Sequence, residues 1–166
     1  MVEFDKERAK PFESATKLLL CPGTSQVYYG DESARSLIVE GTVGDATLRS
    51  FMNWDEIENN EKTKEILTHW QKLGTFRSRH PSVGAGTHKM LSETPYVFKR
   101  SFSSGNYTDQ VVVGLDLPIG KKEVDTQEIF INGTRICDAY SGKETIVENG
   151  KVTIDTAYEI VLLEKK

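Results

Sequence analysis

The residues best suited to chemistry fall in two short stretches. Asp31-Glu32 sets two carboxylates directly after Gln26-Val27-Tyr28-Tyr29-Gly30, and Arg49-Ser50-Phe51-Met52-Asn53-Trp54-Asp55 combines a cation, aromatics and an acid. A pair of carboxylates can serve general acid/base or nucleophilic work when both flank one bond. Neighbours in an extended segment point to opposite sides, so Asp31 and Glu32 are poorly placed to flank one bond. Shaping a binding face, or pairing with a nearby arginine, suits them better. Tryptophan offers an apolar face and arginine offers fixed donors, so Arg49, Trp54 and Asp55 suit a binding surface. Equally, Arg49 and Asp55 can pair while Trp54 fills a loop core.

Other reactive residues form no recognisable site. His69, His80 and His88, with Cys21 and Cys137 far apart, lack zinc-ligand spacing. His69 reads as a helix-surface residue and His80 as a junction residue. Asp109, Asp116, Asp125, Asp138 and Asp155 do not form a calcium-loop pattern. Val83-Gly84-Ala85-Gly86 has no Lys-Ser/Thr after it, so it is not a phosphate loop. No metal and no cofactor are expected. The two cysteines read as buried and reduced, and Asn106-Tyr107-Thr108 and Asn132-Gly133-Thr134 as turns.

The elements that must position these residues follow from period and punctuation. Asp5 to Leu20 reads as a helix on the spacing of Phe12, Ala15, Thr16 and Leu19. Pro11 either starts it or kinks it. Pro22-Gly23 is a turn, and Gln26–Tyr29 a short strand ended by Gly30. Ser33 to Glu58 has no sustained period, and a loop this long suggests a function. A second helix spans Asn60 to Leu73 with Ile66, Leu67, Trp70 and Leu73 on one face, capped by Asn59 or Asn60 and stopped by Gly74. A basic connection covers Phe76 to Thr87. Short strands are expected at His88–Ser92, Tyr96–Ser101, Gln110–Leu117, Glu128–Asn132, Thr145–Glu148, Lys151–Ile154 and Ala157–Leu163. Val111, Val113, Leu115 and Leu117 should face the core, and Asn149-Gly150 should form a two-residue hairpin turn. Such strands predict an antiparallel sandwich. The expected domains are 1–87 and 88–166.

Composition narrows the partners. At 166 residues the chain can bury one good core or two small ones. A net charge of −4 gives no support for nucleic-acid binding. No apolar run approaches a membrane span, and Met1–Lys6 lacks the apolar core of a signal peptide. The compartment is left open.

Pro22-Gly23 followed by Tyr28-Tyr29-Gly30-Asp31-Glu32 resembles the eighth barrel strand of the α-amylase family of glycoside hydrolases. Arg49-Ser50-Phe51-Met52-Asn53-Trp54-Asp55 resembles the Arg-x-Pro-Met-x-Trp-Asp loop of that family, with Phe51 where proline is usual. Trp70-Gln71-Lys72-Leu73-Gly74-Thr75-Phe76-Arg77, with His80-Pro81 and Gly84, is similar to the family's helix-to-sandwich junction. The resemblance covers essentially the whole chain.

It implies an α+β chain. An antiparallel Greek-key β-sandwich of the amylase C-terminal type should follow helices and one strand left from the end of a (β/α)8 barrel. It implies an α-glucan partner, starch or maltodextrin, and sugar contact by Asp31, Glu32, Arg49, Trp54 and Asp55 in an intact enzyme. The family's nucleophile, acid/base and third acid come from earlier strands, and none of their motifs occurs here, so the chain alone is expected to be inactive. A carbohydrate-binding or purely structural sandwich is the alternative, with Tyr96, Phe98, Phe102, Tyr107 and Tyr140 as aromatic candidates. Loss of the barrel should expose apolar surface on the remnant helices and favour self-association.

Overall fold

The computed structural model describes residues 10–36, 39–126 and 129–166. It divides into two compact units, Met1–Thr75 and Phe76–Lys166. This division comes earlier in the chain than residue 88, because the segment before the first strand belongs with the sheet.

In the first unit, α1 spans Pro11–Leu20 with Pro11 in its first turn. Lys10 is already non-helical, so the helix proper starts at the proline, whose missing N–H costs nothing there. The expected stretch 5–9 lies outside the described residues. Ala15, Leu19 and Leu20 are buried. Cys21, expected inside, is exposed just past the helix end; Cys137 is partly buried, and both are free thiols.

Gln26–Tyr29 does not form the expected strand: among the described residues it has no ladder partner. A strand needs a neighbour to take up its N–H and C=O groups, and local β-propensity cannot supply one. Short 3-10 helices follow at Asp31–Ser33 and Gly44–Leu48, and α2 covers Trp54–Asn59. The stretch Ser33–Glu58, expected to be loop, is therefore interrupted by Gly44–Leu48 and by α2, both too short to leave a period.

Helix α3 spans Glu61–Arg79, and the Asn60 side chain caps it by accepting from the Thr63 N–H at 3.2 Å. Gly74 does not stop it. The apolar spacing of Ile66, Trp70 and Leu73 continues into Phe76, and both Leu73 and Phe76 are fully buried. Burying an aromatic outweighs the roughly 1 kcal/mol cost of a helical glycine. The helix ends at Arg79, and after His80, Pro81 opens the short α4, Pro81–Ala85.

The second unit carries two antiparallel sheets. The larger runs β1-β2-β3-β8-β5-β6, with β1 Thr87–Ser92, β2 Tyr96–Ser104, β3 Tyr107–Leu115, β5 Arg135–Asp138, β6 Glu144–Ile146 and β8 Val161–Lys165. The smaller pairs β4 Gly120–Asp125 with β7 Lys151–Thr156. Between them lies a core that includes Val97, Val112, Leu117, Val124, Ile136, Val152, Ile154, Val161 and Leu163. On β3, Val111 and Val113 are as buried as Val112. Alternation puts them on the opposite face of the sheet, where α4 packs against β2 and β3. Leu115, expected in the core, is only half-buried.

Glu128–Asn132 is not a strand: Ile129–Asn132 is bends and turns, and 127–128 lie outside the described residues. The Asn149-Gly150 turn is present, with φ of 51° and 74° and reciprocal Glu148–Lys151 backbone bonds of 2.9 and 3.0 Å. It passes the chain from one sheet to the other.

The junction of α3 and α4 is tied to the sheet by polar side-chain contacts. His80 Nδ1 lies 2.7 Å from Asp109 Oδ1, and its Nε2 lies 2.5 Å from Glu164 Oε2. Arg79 Nη2 donates to both oxygens of Glu164 at 2.9 Å. The Ser82 N–H donates to Asp109 Oδ2 at 2.8 Å. In the first unit, His69 is 5% exposed rather than at the surface, with Nε2 3.0 Å from Thr16 Oγ1 and 3.1 Å from the Phe12 carbonyl.

Candidate functional site

The site is built on the turn at Tyr28–Arg35. Gly30 has φ +83°, a conformation costly to any side chain. A Cβ there would also lie 2.3 Å from Arg35 Nε. Glycine is thus required twice, once for the turn and once because Arg35 lies against it. The Arg35 N–H closes the turn on the Gly30 carbonyl at 2.9 Å.

Asp31 and Glu32 share one 3-10 turn rather than an extended segment. Asp31 Oδ2 accepts from the Tyr28 N–H at 3.3 Å. Burial pushes its carboxyl above the usual range, against the opposing pull of the Tyr28 bond. Glu32 Oε2 is buried with no hydrogen-bond partner among the described residues.

The second stretch is pinned to the first. Ser33 Oγ donates to Asn53 Oδ1 at 2.7 Å, and Asn53 Nδ2 donates to the Ser33 carbonyl at 3.0 Å. Tyr29 Oη donates to the Ser50 carbonyl at 3.0 Å. The structure therefore joins the 31–33 turn to the segment that carries Arg49, Trp54 and Asp55. Those three side chains are exposed. Trp54 is 64% exposed and Phe51 96% exposed, so Trp54 does not fill a loop core. Among the described residues no ion pair joins Arg49 to Asp55. Asp55 instead sits in the first turn of α2, where a negative charge is favoured.

Four residues escaped the sequence reading: Ser33, Arg35, Phe51 as a solvent-facing ring, and Asn53 as a clamp. Short-range pattern gives no sign of them, since the bonds that join Ser33 to Asn53 and Arg35 to Leu48 and Ser50 span 13 to 20 positions. No cluster of metal-ligating side chains occurs among the described residues, and no described helix is long and apolar enough to cross a membrane. On the sandwich, Phe98 and Tyr140 are buried, Tyr96 and Phe102 half-buried, and Tyr107 is 50% exposed beside Phe102 at a ring separation of 6.4 Å.

A helical unit followed by a two-sheet antiparallel sandwich is the fold found in α-amylase-type enzymes. The Anoxybacillus α-amylase superposes with a TM-score of 0.62 at 23% identity, covering 94% of this chain and 32% of that one. The α-amylase of Geobacillus thermoleovorans, solved with acarbose, gives 0.63 at 17% identity over 96% and 34%. AmyP, solved with maltose, gives 0.61 at 19% identity over 95% and 35%.

In sequence, the periplasmic α-amylase of Escherichia coli (strain K12) is 42% identical over 79 residues, 48% of this chain and 11% of that protein. The amylopullulanase of Thermoanaerobacter thermohydrosulfuricus is 26% identical over 144 residues, 81% of this chain and 9% of that protein. No family model matches. These relatives are named α-amylase and amylopullulanase; the Escherichia coli protein matches about half of this chain and the other about four-fifths, while the α-amylase structures share its fold over more than nine-tenths of it. The chain spans about a tenth of the length of these curated relatives.

Proposed function

We propose that this chain serves as the C-terminal part of an α-amylase-like glycosidase acting on starch or maltodextrin α-glucans. Its segment 49–55 meets the glucan, and the chain alone does not hydrolyse it. The observation that carries this reading is the exposure of Phe51 and Trp54 beside Arg49 and Asp55, on a segment held to the Tyr28-Tyr29-Gly30 turn. An exposed indole next to charged donors and acceptors suits a pyranose, which has an apolar face and a hydroxyl rim. Asp31 and Glu32 shape the turn beneath it. That neighbours were solved with maltose and acarbose supports the ligand class.

The test is calorimetric titration of the purified chain with maltoheptaose, together with reducing-sugar release from soluble starch. Binding that weakens about tenfold in Trp54→Ala, with no sugar release, is expected. Release that disappears in Asp31→Asn/Glu32→Gln would overturn the inactivity and make those two acids chemical groups.

Self-association through the first unit is part of the same reading. Val43, Phe51, Trp54, Val27 and Tyr29 leave apolar surface in water. A concentration-dependent sedimentation coefficient is expected, and a monomer at all concentrations removes this element.

A further inference from the structure

Arg35 is 2% exposed, yet among the described residues no carboxylate lies within ion-pair reach of it. A buried cation with no ion pair among the described residues spends its donors on other acceptors. Here these come from both sides of the loop. Nε and Nη2 donate to the Tyr29 carbonyl at 3.1 and 2.9 Å. Nη2 also donates to the Leu48 carbonyl at 3.1 Å, and Nη1 to the Ser50 carbonyl at 3.0 Å and to Ser50 Oγ. The guanidinium carbon sits 4.0 Å from the centre of the Tyr29 ring.

We propose that Arg35 is the positioning residue of the glucan-facing segment: it fastens the carbonyls that flank Arg49 to the Tyr29-Gly30 turn, and so fixes how Phe51 and Trp54 are presented. This rests on the function proposed above. The geometry demands a planar fork. One guanidinium reaches the carbonyls of Tyr29, Leu48 and Ser50, and that of its neighbour Ser36 at 3.5 Å, and still stacks on Tyr29, which a lysine's single ammonium cannot do. The ligand then meets side chains already ordered, and the entropy of ordering them is not charged to binding. Arg35 touches no sugar in this scheme; it acts through the backbone of Leu48 and Ser50.

Two readouts separate this proposal from the function it rests on. The first is tryptic cleavage after Arg49, located by mass spectrometry. That bond lies between the two carbonyls Arg35 holds, and a protease needs it locally unfolded. Cleavage in Arg35→Gln should be at least about tenfold faster than in the wild type, with the helical circular-dichroism signal unchanged. The second is affinity for maltoheptaose. It should fall about tenfold in Arg35→Lys, as in Trp54→Ala, and be unaffected in Asp45→Ala, an exposed control. If Arg35→Gln fails to fold, Tyr29→Phe removes only the hydroxyl bond to Ser50, and a smaller rise in cleavage is expected.

Unchanged cleavage and affinity in the Arg35 variants, alongside lost affinity in Trp54→Ala, overturns the role of Arg35 and leaves the glucan reading standing. Absence of wild-type binding overturns the glucan reading, and the cleavage rate then decides by itself whether Arg35 anchors the segment.

Discussion

Asp109 on β3 and His80 between α3 and α4 meet at 2.7 Å, with the second nitrogen of the same ring facing Glu164 on β8. One imidazole therefore ties the end of a helix to two neighbouring strands. Burial pushes the Asp109 carboxyl up, but hydrogen bonds from His80 and Ser82 outweigh it and hold it below the usual range. A carboxylate whose folded value is depressed stabilises the fold above its unfolded value of about 4, and that stability is lost as pH falls through the folded value. His80→Ala should lower the stability of the second unit by about 2 kcal/mol in urea denaturation at neutral pH. Asp109→Asn should flatten the acid limb of the stability profile; an acid limb as steep as the wild type's would refute the assignment.

His69 carries a second pH dependence of its own. Burial is the main cause holding its pKa below 6.5, with a smaller contribution from Lys72 and an opposing one from the Phe12 carbonyl. The unfolded chain then takes up the proton first. Stability is present above about 6.5 and declines as pH falls below it. Thermal melts of the wild type should show this decline, and His69→Gln should reduce it.

Gly74 and Gly86 should respond in opposite ways to alanine. Gly74 lies inside α3, and a Cβ there meets nothing within 4 Å. Gly74→Ala should stabilise by about 0.5–1 kcal/mol. A Cβ at Gly86 would lie 2.4 Å from the Ser82 carbonyl oxygen and 2.8 Å from that of Ser101, both backbone. Gly86→Ala should cost about 1–3 kcal/mol. Chemical denaturation of the two variants side by side provides the check.

The Tyr28–Arg35 turn offers a matched pair. Ala34 has φ 51° and ψ 39°, a left-handed conformation that costs an L-residue about 1–2 kcal/mol. Ala34→Gly should recover about 1 kcal/mol, whereas Gly30→Ala drives a Cβ into Arg35 and should lose stability and speed cleavage after Arg49. Stabilisation by Gly30→Ala would contradict the packing described here.

Residues whose conformation is decided by near neighbours were legible in the sequence. Asn149-Gly150 is a turn because two adjacent residues tolerate positive φ, and Pro11 and Asn60 mark helix starts by one-turn chemistry. The strands β1, β2, β3, β7 and β8 follow from apolar alternation and β-branched content. The positions 31, 32, 49, 54 and 55 stood out by residue type.

Tertiary structure decided the rest, because the deciding partners are remote. β4 hid its alternation behind a lysine at an inward position: Lys122 is 4% exposed, its ammonium taken up by oxygens of Thr156 and Tyr158. β5 hid behind Asp138, fully buried and accepting from the N–H groups of Tyr140, Ser141 and Leu162. Gln26–Tyr29 has strand composition without a strand partner. Gly74 is helical because burial of Leu73 and Phe76 on either side of it outweighs its local preference. Arg35 lies in a stretch with no period, and only the approach of Leu48 and Ser50 gives its charge somewhere to go. The sequence alone determined the local turns, the helix starts and the alternating strands, since those depend on sterics and capping within a few residues. The folded chain alone determined which polar groups are buried and what they hold, since a buried charge is tolerable only where distant acceptors converge on it.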